Sequence, residues 1–197
     1  MNWDARYSEP GYAYGTAPND FLREMAARIP PGPVLCLAEG EGRNAVFLAE
    51  LGHAVTAVDA SAVGLAKAAT LARARAVGLE TVHADLADFT IKEGAWAGIV
   101  TVFAHLPPAL RARMHSAVVK GLRPGGVYLL EAYTPQQLAF GTGGPPDAEL
   151  LMTADALRRE LAGLELEICR EVERDVVEGR FHSGRAAVVQ VLGRRPA

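Results

Sequence analysis

The stretch VLCLAEGEGRNAVFLAE, residues 34–50, decides how the rest of the chain is interpreted. It opens on a short continuous apolar run, residues 34–37, of the kind that suits a strand buried on both faces. The pattern therefore predicts a buried strand that leads into a tight turn. Small residues keep that turn almost free of side chains, and they are Ala38, Gly40 and Gly42.

A helix is predicted directly after this turn. Apolar residues recur at helical spacing over residues 44–51, and Gly52 marks the end. The start of a helix leaves backbone N–H groups unpaired, and a turn without side chains lets the backbone approach a ligand closely. The unit of strand, turn and helix therefore predicts a site for a nucleotide-like cofactor.

Two interpretations of this pattern stay open. Gly40, Gly42 and Ala45 satisfy the dinucleotide fingerprint G-x-G-x-x-G/A, and Asp59 follows the next apolar run, near the position where an acid binds ribose hydroxyls. The alternative is that the glycines only turn the chain and that Asp59 only caps a helix that begins near Ser61.

The composition favours a single domain over residues 1–197. Half of the residues are hydrophobic, and a domain of this size buries about 70% of its unfolded surface. The two cysteines, Cys36 and Cys169, lie far apart in apolar or strand-like runs, which predicts buried free thiols. The five histidines lack the spacing of metal ligands, so no metal is expected.

Charge and hydropathy limit the location and the partners. The N-terminal residues lack the apolar core of a signal peptide, and no apolar run approaches the ~20 residues of a membrane span. We therefore expect a cytoplasmic protein that does not associate with membranes. The net charge of −3 argues against a nucleic-acid substrate, because phosphates require a basic face. The oligomeric state cannot be predicted.

Strands and helices alternate through most of the chain. Helices are predicted from Ser61, from Pro108 and from Thr153, where capping or first-turn residues occur. The alternation predicts an α/β fold with a Rossmann-like doubly wound, mostly parallel sheet, helices on both faces and a C-terminal antiparallel hairpin over residues 164–193. The other predicted strands cover residues 54–60, 81–86, 98–104 and 127–132.

The N-terminal arm, residues 1–18, is predicted to pack on the rest of the protein. It holds Trp3, Tyr7, Tyr12 and Tyr14 among glycine and proline, which is too aromatic for a disordered tail and too broken for a regular element. Either it folds across a bound ligand or it is a plain packed arm.

Two further segments flank the alternating part. A helix over residues 21–29, capped by Asn19 or Asp20, completes an N-terminal unit of residues 1–30. Residues 133–152 follow a strand end and are rich in glycine, proline and amides. A loop of that length in a compact domain is usually functional or disordered, so we expect it to lie on the substrate side.

Taken together, these motifs resemble the class I S-adenosylmethionine-dependent methyltransferases, and in particular the small single-domain tellurite-resistance-like group. The likeness covers nearly the whole chain and no single motif carries it. Besides residues 34–50 it rests on residues 3–22, on Asp59, on Asp85 after the third strand, on FAHLP at 103–107, on LRPGG at 122–126 and on the final hairpin.

The resemblance implies S-adenosylmethionine as cofactor and assigns roles around it. Asp59 would accept hydrogen bonds from the two ribose hydroxyls, and Asp85 with the backbone N–H of Leu86 would hold the adenine edge. Asp85 also suits a simple turn carboxylate, because ADLAD has the composition of a turn. The full predicted cofactor set is Tyr14, Ala38, Glu39, Gly40, Gly42, Asn44, Asp59, Ala60, Asp85 and Leu86.

The sequence departs from the family pattern at two positions. Cys36 stands where an acid is usual, and Ala38 stands where a glycine is usual. An alanine held at positive φ would cost on the order of 1 kcal/mol. Glu39 and Glu41 lie nearby, and either they contact the ammonium group of the cofactor or they face water.

The function that the resemblance implies is direct in-line methyl transfer to a small soluble acceptor. His105 follows the fourth strand before two prolines, and with an ordinary pKa of about 6.5 it is a candidate general base. The alternatives are a non-catalytic S-adenosylmethionine-binding protein and an NAD-dependent oxidoreductase. The latter is disfavoured because no Tyr-x-x-x-Lys pair occurs; Ala132 and Gln137 stand four residues after Tyr128 and Tyr133.

Overall fold

The computed structural model describes residues 2–197, which contain a seven-stranded sheet. In chain order the strands are β1 (Pro33–Leu37), β2 (Ala54–Asp59), β3 (Glu80–His83), β4 (Trp96–Val102), β5 (Leu122–Tyr133), β6 (Glu165–Glu178) and β7 (His182–Arg194). Their order across the sheet is β3-β2-β1-β4-β5-β7-β6. The first five pair in parallel, and β7 lies antiparallel between β5 and β6. The predicted fold class is confirmed.

Helices cover both faces of this sheet. They are α1 (Trp3–Tyr7), α2 (Asp20–Met25), α3 (Arg43–Glu50), α4 (Ala62–Ala74), α5 (Pro108–Gly121) and α6 (Ala154–Glu160). Single 3₁₀ turns follow or connect them at Ala26–Arg28, Pro135–Ala139 and Ala148–Leu150. No helix of residues 2–197 is both long enough and apolar enough to cross a membrane.

The alternation of side chains along β1 shows why its sequence is apolar throughout. Leu35 and Leu37 enter the hydrophobic cluster beneath α5 and α6, whereas Val34 and Cys36 enter the cluster beneath α2, α3 and α4. A strand with a core on each face must be apolar at every position. The carboxyl ends of β1, β2, β4 and β5 consequently meet at one edge between two well-packed layers.

Side-chain caps confirm three of the predicted helix starts. The Asn19 side chain accepts a hydrogen bond from the backbone N–H of Leu22 at 3.0 Å, and the Ser61 hydroxyl accepts one from Gly64 at 3.0 Å. Thr153 caps α6 in the same way. Each cap pairs a backbone N–H that has no partner within its own helix.

Three local predictions are corrected. The N-terminal arm is not wholly irregular, because Asn2 caps the short helix α1. The helix predicted over residues 21–29 ends its α-helical part at Met25 and continues as a 3₁₀ turn. Helix α4 stops at Ala74, before Gly78, because Ala76 already adopts the left-handed conformation with φ 55°.

Candidate active site

A cavity of about 460 Å³ opens at the carboxyl edge of the sheet. Its volume lies within the range of roughly 300–1,000 Å³ that is typical of small-molecule sites. Its walls come from the N-terminal arm, the turn after β1, the ends of β2 and β4, the loop before α6 and the hairpin. The residues that line the cavity are Trp3, Arg6, Tyr7, Tyr14, Ala38, Glu39, Arg43, Asn44, Asp59, Val102, Phe103, Ala104, His105, Leu106, Gly143, Gly144, Pro145, Leu150, Phe181 and His182.

The turn after β1 keeps the left-handed backbone expected of the family despite the alanine. Ala38 has φ 52°, and Gly40 follows with φ 62°. For an alanine this conformation costs on the order of 1 kcal/mol, which the surrounding hydrogen bonds must offset. A side chain at Gly40 would collide with Tyr7, since its Cβ would lie 2.5 Å from the tyrosine oxygen. The arm thus packs directly on the turn.

Glu39 occupies the backbone groups that were expected to be open at the start of α3. One carboxylate oxygen, Oε1, accepts the N–H groups of Asn44 at 2.9 Å and Ala45 at 2.8 Å. Burial raises the pKa of Glu39 to about 7, against the lowering effect of these two bonds. The expectation of unpaired N–H groups here is therefore wrong, because this acid lies close enough to cap the helix itself.

Gly42 serves helix packing and is not on the cavity wall. With φ 89° it precedes α3, and a Cβ there would lie 2.5 Å from the Cβ of Ala68 in α4. Asn44 does line the cavity, and its side-chain oxygen accepts the backbone N–H of Asn19 at 2.9 Å. The two residues fix the position of α3 against α4 and the start of α2.

Asp59 is buried at the end of β2 with acceptor capacity to spare. Its Oδ2 accepts the N–H of Gly40 and its Oδ1 the N–H of Ser61, both at 2.8 Å. Each carboxylate oxygen can accept a further bond, which matches the two ribose hydroxyls of the proposed cofactor. Burial raises the pKa of Asp59, in opposition to these two bonds. The adjacent Ala60 is exposed and offers its carbonyl to His83.

Asp85 and Leu86 lie outside the cavity lining. Asp85 is exposed, and its carboxylate accepts the N–H of Ala87 at 2.8 Å, as a turn carboxylate does. Leu86 is buried in the core beneath α5. The adenine-binding role of this pair stays a prediction.

Glu41 holds the arm and is not among the residues that line the cavity. Its carboxylate accepts the N–H of Ala13 at 2.7 Å and pairs with Lys67 at 2.9 Å. Lys67 in turn donates to the carbonyl oxygens of Glu9 and Gly11. The expectation that Glu41 faces water is wrong, because the acid is buried beneath the arm. A contact with the cofactor ammonium group stays a prediction.

Across the cavity stands a wall of aromatic and imidazole rings. Tyr133 at the end of β5 stacks on Phe103 with 4.5 Å between ring centroids, and on His105 at 5.6 Å with only 7° between planes. Phe103 has φ 54°, which is unusual for a bulky residue and marks strain at this position. Strained backbone of this kind persists only where the surrounding packing fixes it, and it is frequent at functional sites.

His105 reaches this wall, but its expected ordinary pKa is wrong. Its Nδ1–H donates to the carbonyl of Leu150 at 3.3 Å, which leaves the lone pair on Nε2. That nitrogen is buried and bonds to no residue in the described part of the chain. Burial lowers the pKa of His105 to about 4, so the ring is neutral at physiological pH.

Sequence reasoning missed three residues of the site, namely Arg43, Phe181 and His182. The two last residues stand in GRFHSG, where glycines on both sides indicated only a hairpin turn. Arg43 sits in the first turn of α3 and pairs with Glu178 of β6 at 2.6 Å. The predicted loop of residues 133–152 does reach the cavity, through Gly143, Gly144, Pro145 and Leu150.

Comparison with known proteins agrees with this architecture. A family model described as a methyltransferase domain matches residues 34–126. A curated relative, the 2-heptyl-1-hydroxyquinolin-4(1H)-one methyltransferase of Mycobacteroides abscessus, is 29% identical over 147 residues. The match covers 72% of this chain, and the chain spans 61% of that relative.

Solved structures show the same fold. TehB from Haemophilus influenzae superposes with a TM-score of 0.73 at 19% identity, over 89% of this chain and 61% of TehB. The N-methyltransferase NodS from Bradyrhizobium japonicum gives 0.69 at 14% identity, over 90% and 93%. A structure from work on the conversion of a disulfide bond into a thioacetal group in echinomycin biosynthesis gives 0.78 at 24% identity, over 98% and 90%.

The chain therefore has the fold of solved S-adenosylmethionine-dependent methyltransferases, and its residues 34–126 match a methyltransferase domain.

Proposed function

We propose that this protein transfers the methyl group of S-adenosylmethionine to a small acceptor molecule. One observation carries the proposal: a single cavity joins the turn after β1 and Asp59 to a wall of aromatic and imidazole rings. When bound, S-adenosylmethionine supplies an electrophilic methyl group, so an acceptor lone pair forms the new bond while the sulfur keeps the electrons of the broken one. The protein's task is to hold the two molecules in line and to exclude water.

The residues around the turn fit this cofactor. Asp59 retains two acceptor positions for ribose hydroxyls, and the backbone of Ala38, Glu39 and Gly40 lies beside it without bulky side chains. The buried Tyr7 and the half-buried Tyr14 of the arm lie over the turn and line the same cavity. We propose that this arm covers the bound cofactor and keeps water from the methyl group.

His105 is proposed to contact the acceptor. Its buried Nε2 carries a lone pair with no partner among residues 2–197, so it can accept a hydrogen bond from an acceptor O–H. A pKa of about 4 makes it a weak proton acceptor at neutral pH, since the optimal base has a pKa near the working pH. We therefore propose that His105 orients the acceptor molecule.

The acceptor class follows from the wall and from the curated relative. A flat ring stacks well on Phe103, which lines the cavity and is backed by the buried Tyr133, and the relative from Mycobacteroides abscessus is named for a hydroxylated quinolone. We propose a planar molecule with an ionisable hydroxyl group. The net charge of −3 and the enclosed cavity favour this class over nucleic acid, and we propose that the reaction takes place in the cytoplasm.

Calorimetry tests the cofactor assignment. We expect binding of S-adenosylmethionine and S-adenosylhomocysteine and none of NAD. Asp59→Ala should weaken binding of S-adenosylmethionine by roughly ten- to a hundredfold, because a hydrogen bond to a charged group is worth about 1.5–3 kcal/mol. Asp155→Ala is the control, because Asp155 is an exposed carboxylate on α6 outside the cavity lining. Unchanged affinity in a folded Asp59→Ala protein would reject the assignment, and binding of NAD would reject the family function.

A turnover assay separates an enzyme from a binding protein. The wild-type chain is incubated with S-adenosylmethionine and 2-heptyl-1-hydroxyquinolin-4(1H)-one, and the methylated product is detected by mass spectrometry. We expect methylation of this probe or of simpler hydroxylated heterocycles. Tight cofactor binding without turnover on any planar hydroxyl compound would instead support the non-catalytic alternative.

A further inference from the structure

A second histidine, His182, stands on the same wall and is not explained by the proposed role of His105. It is the first residue of β7, and its ring centroid lies 4.6 Å from Tyr14, 4.8 Å from Phe103 and 5.4 Å from Tyr133. His182 is only 8% exposed, and it lines the cavity. Aromatic packing on three sides restricts the rotation of the ring.

The two nitrogens of the His182 ring have different surroundings. Nδ1 is buried and lies 4.0 Å from Oε2 of Glu178, beyond hydrogen-bond range by about 1 Å. Nε2 makes no hydrogen bond to residues 2–197. Unlike Nδ1, it is not a buried atom. Nε2 is therefore the nitrogen that a molecule in the cavity can reach.

Glu178 is held in place as a permanent carboxylate. Arg43 donates to its Oε2 at 2.6 Å, while Asn19 at 2.8 Å and Arg174 at 3.1 Å donate to its Oε1. Burial raises the pKa of Glu178, but the nearby His182, Arg43 and Arg174 outweigh it and lower this pKa to about 2. A fixed negative charge beside Nδ1 favours the tautomer that carries its proton there and its lone pair on Nε2.

We propose that His182 removes the proton from the acceptor hydroxyl and that Glu178 is the positioning residue that sets its tautomer. The inference rests on the proposed methyl transfer. The O–H bond breaks, its proton bonds to Nε2, and the oxygen keeps the electron pair that forms the bond to the methyl carbon. The imidazolium then returns the proton to water. A base backed by a carboxylate is the arrangement that orients such a lone pair.

His105 and His182 differ in the group that lies nearest to Nδ1. Nδ1 of His105 donates to a neutral carbonyl, whereas Nδ1 of His182 lies 4.0 Å from a carboxylate oxygen of Glu178. Burial lowers the pKa of His182, and Glu178 opposes that effect. The titratable and charged groups that face the His182 ring are Arg6, Tyr14, Arg43, His105, Tyr133 and Glu178.

Nuclear magnetic resonance on the full chain tests the tautomer directly. Long-range proton–nitrogen spectra of the wild-type protein with S-adenosylhomocysteine should show neutral His182 protonated at Nδ1 at neutral pH. The pKa of His182 should exceed that of His105. A proton on Nε2 of His182 would overturn the proposal without reference to any acceptor.

Two variants on β6 provide a matched pair. Glu178→Gln should lower the pKa of His182, because it removes the carboxylate that stabilises the imidazolium. Glu173→Gln, on the same strand but exposed and paired with Arg185, should leave that pKa unchanged. Equal values in the wild type and in a folded Glu178→Gln protein would overturn the positioning role. If Glu178→Gln does not fold, the wild-type tautomer decides.

Kinetics with 2-heptyl-1-hydroxyquinolin-4(1H)-one complete the test. His182→Gln should lower kcat by roughly a hundredfold with little change in cofactor affinity, whereas His105→Gln should mainly raise KM. The acidic limb of the kcat profile should disappear in His182→Gln alone. Full turnover by His182→Gln would overturn the proposal. Failure of S-adenosylmethionine to bind the wild type would instead reject the proposed function.

Discussion

The two sides of the cavity are built in different ways. Most of the donor side is one continuous piece of chain, residues 34–50, in which Glu39 caps α3 from a few residues away. Asp59 at the end of the next strand completes it. The acceptor side brings together the ends of β4 and β5 and the start of β7, and no two of these segments are neighbours in sequence. The donor side is thus specified locally, whereas the acceptor side exists only after the sheet has formed.

This difference teaches where each side can vary. A change in the donor turn strains contacts that every cofactor-binding event uses. A ring exchanged on the acceptor wall alters the shape offered to the second substrate and leaves the donor turn intact. Experiments that perturb one side at a time can therefore break or sharpen the comparison.

The largest effect is expected at the contact between α3 and α4. Gly42→Ala would place a Cβ 2.7 Å from the Cα of Ala68 in a backbone with φ 89°. Overpacking and backbone strain together should lower the free energy of unfolding by about 2–5 kcal/mol. Gly52→Ala is the control, because φ there is 91° and nothing lies within 4 Å. Urea unfolding measures both, and equal losses would mean that the helices yield easily.

A smaller and pH-dependent effect is expected from Glu39. Its pKa of about 7 in the fold exceeds its ordinary 4.5, so the native state holds a proton that the unfolded chain releases. The resulting stability is present below pH 4.5 and disappears as the pH rises through 7, and it amounts to about 3 kcal/mol at most. Glu39→Gln keeps the oxygen that caps α3 but cannot ionise.

The free energy of unfolding should therefore change less between pH 4.5 and 7 in Glu39→Gln than in the wild type. Denaturant titrations across that range provide the measurement. A variant that is less stable than the wild type above pH 7 would show that the charge stabilises the helix start more than burial disfavours it.

The smallest effect is expected on the acceptor side. The buried Gln137 accepts the N–H of Ala187 at 2.9 Å and donates to Thr142 at 3.0 Å and to the carbonyl of Gly143 at 3.1 Å. Gln137→Ala should cost about 1–2 kcal/mol and accelerate hydrogen exchange in residues 141–145, because the loop loses its link to β7. The neighbouring Gln136 is exposed, so Gln136→Ala should change neither the free energy of unfolding nor the rate of hydrogen exchange. Unchanged exchange in both proteins would contradict the role of Gln137.

The fold could be predicted because its signals are local and repeated. The apolar runs of β1, β2 and β4 and the capping residues Ser61 and Thr153 each act within a few positions of themselves. The left-handed backbone at Ala38 was expected only from the resemblance, because that family usually has a glycine at this position. Boundaries that depend on tertiary contacts, such as the end of α4, could not be placed from the sequence.

The acceptor side was predicted only in part, for a physical reason. The position of His105 after a strand end was visible, but its lowered pKa depends on burial in the folded protein and on His182, which is distant in sequence. His182 could not be assigned a role from the sequence, because its proposed role as a base depends on its surroundings. These are Glu178, Arg43 and three aromatic rings contributed by other elements. Residue spacing carries no information about such an assembly.

The place of β7 between β5 and β6 has a consequence for how the protein matures during synthesis. β6 emerges from the ribosome before β7, yet within the described sheet it pairs only with β7. Until residues 182–194 have been translated, the free edge of β5 is unpaired, and such an edge can associate with other chains. The same final strand brings His182 to the cavity, so closure of the sheet and completion of the acceptor wall are a single late event. A nascent or truncated chain would thus contain a donor turn without an acceptor wall.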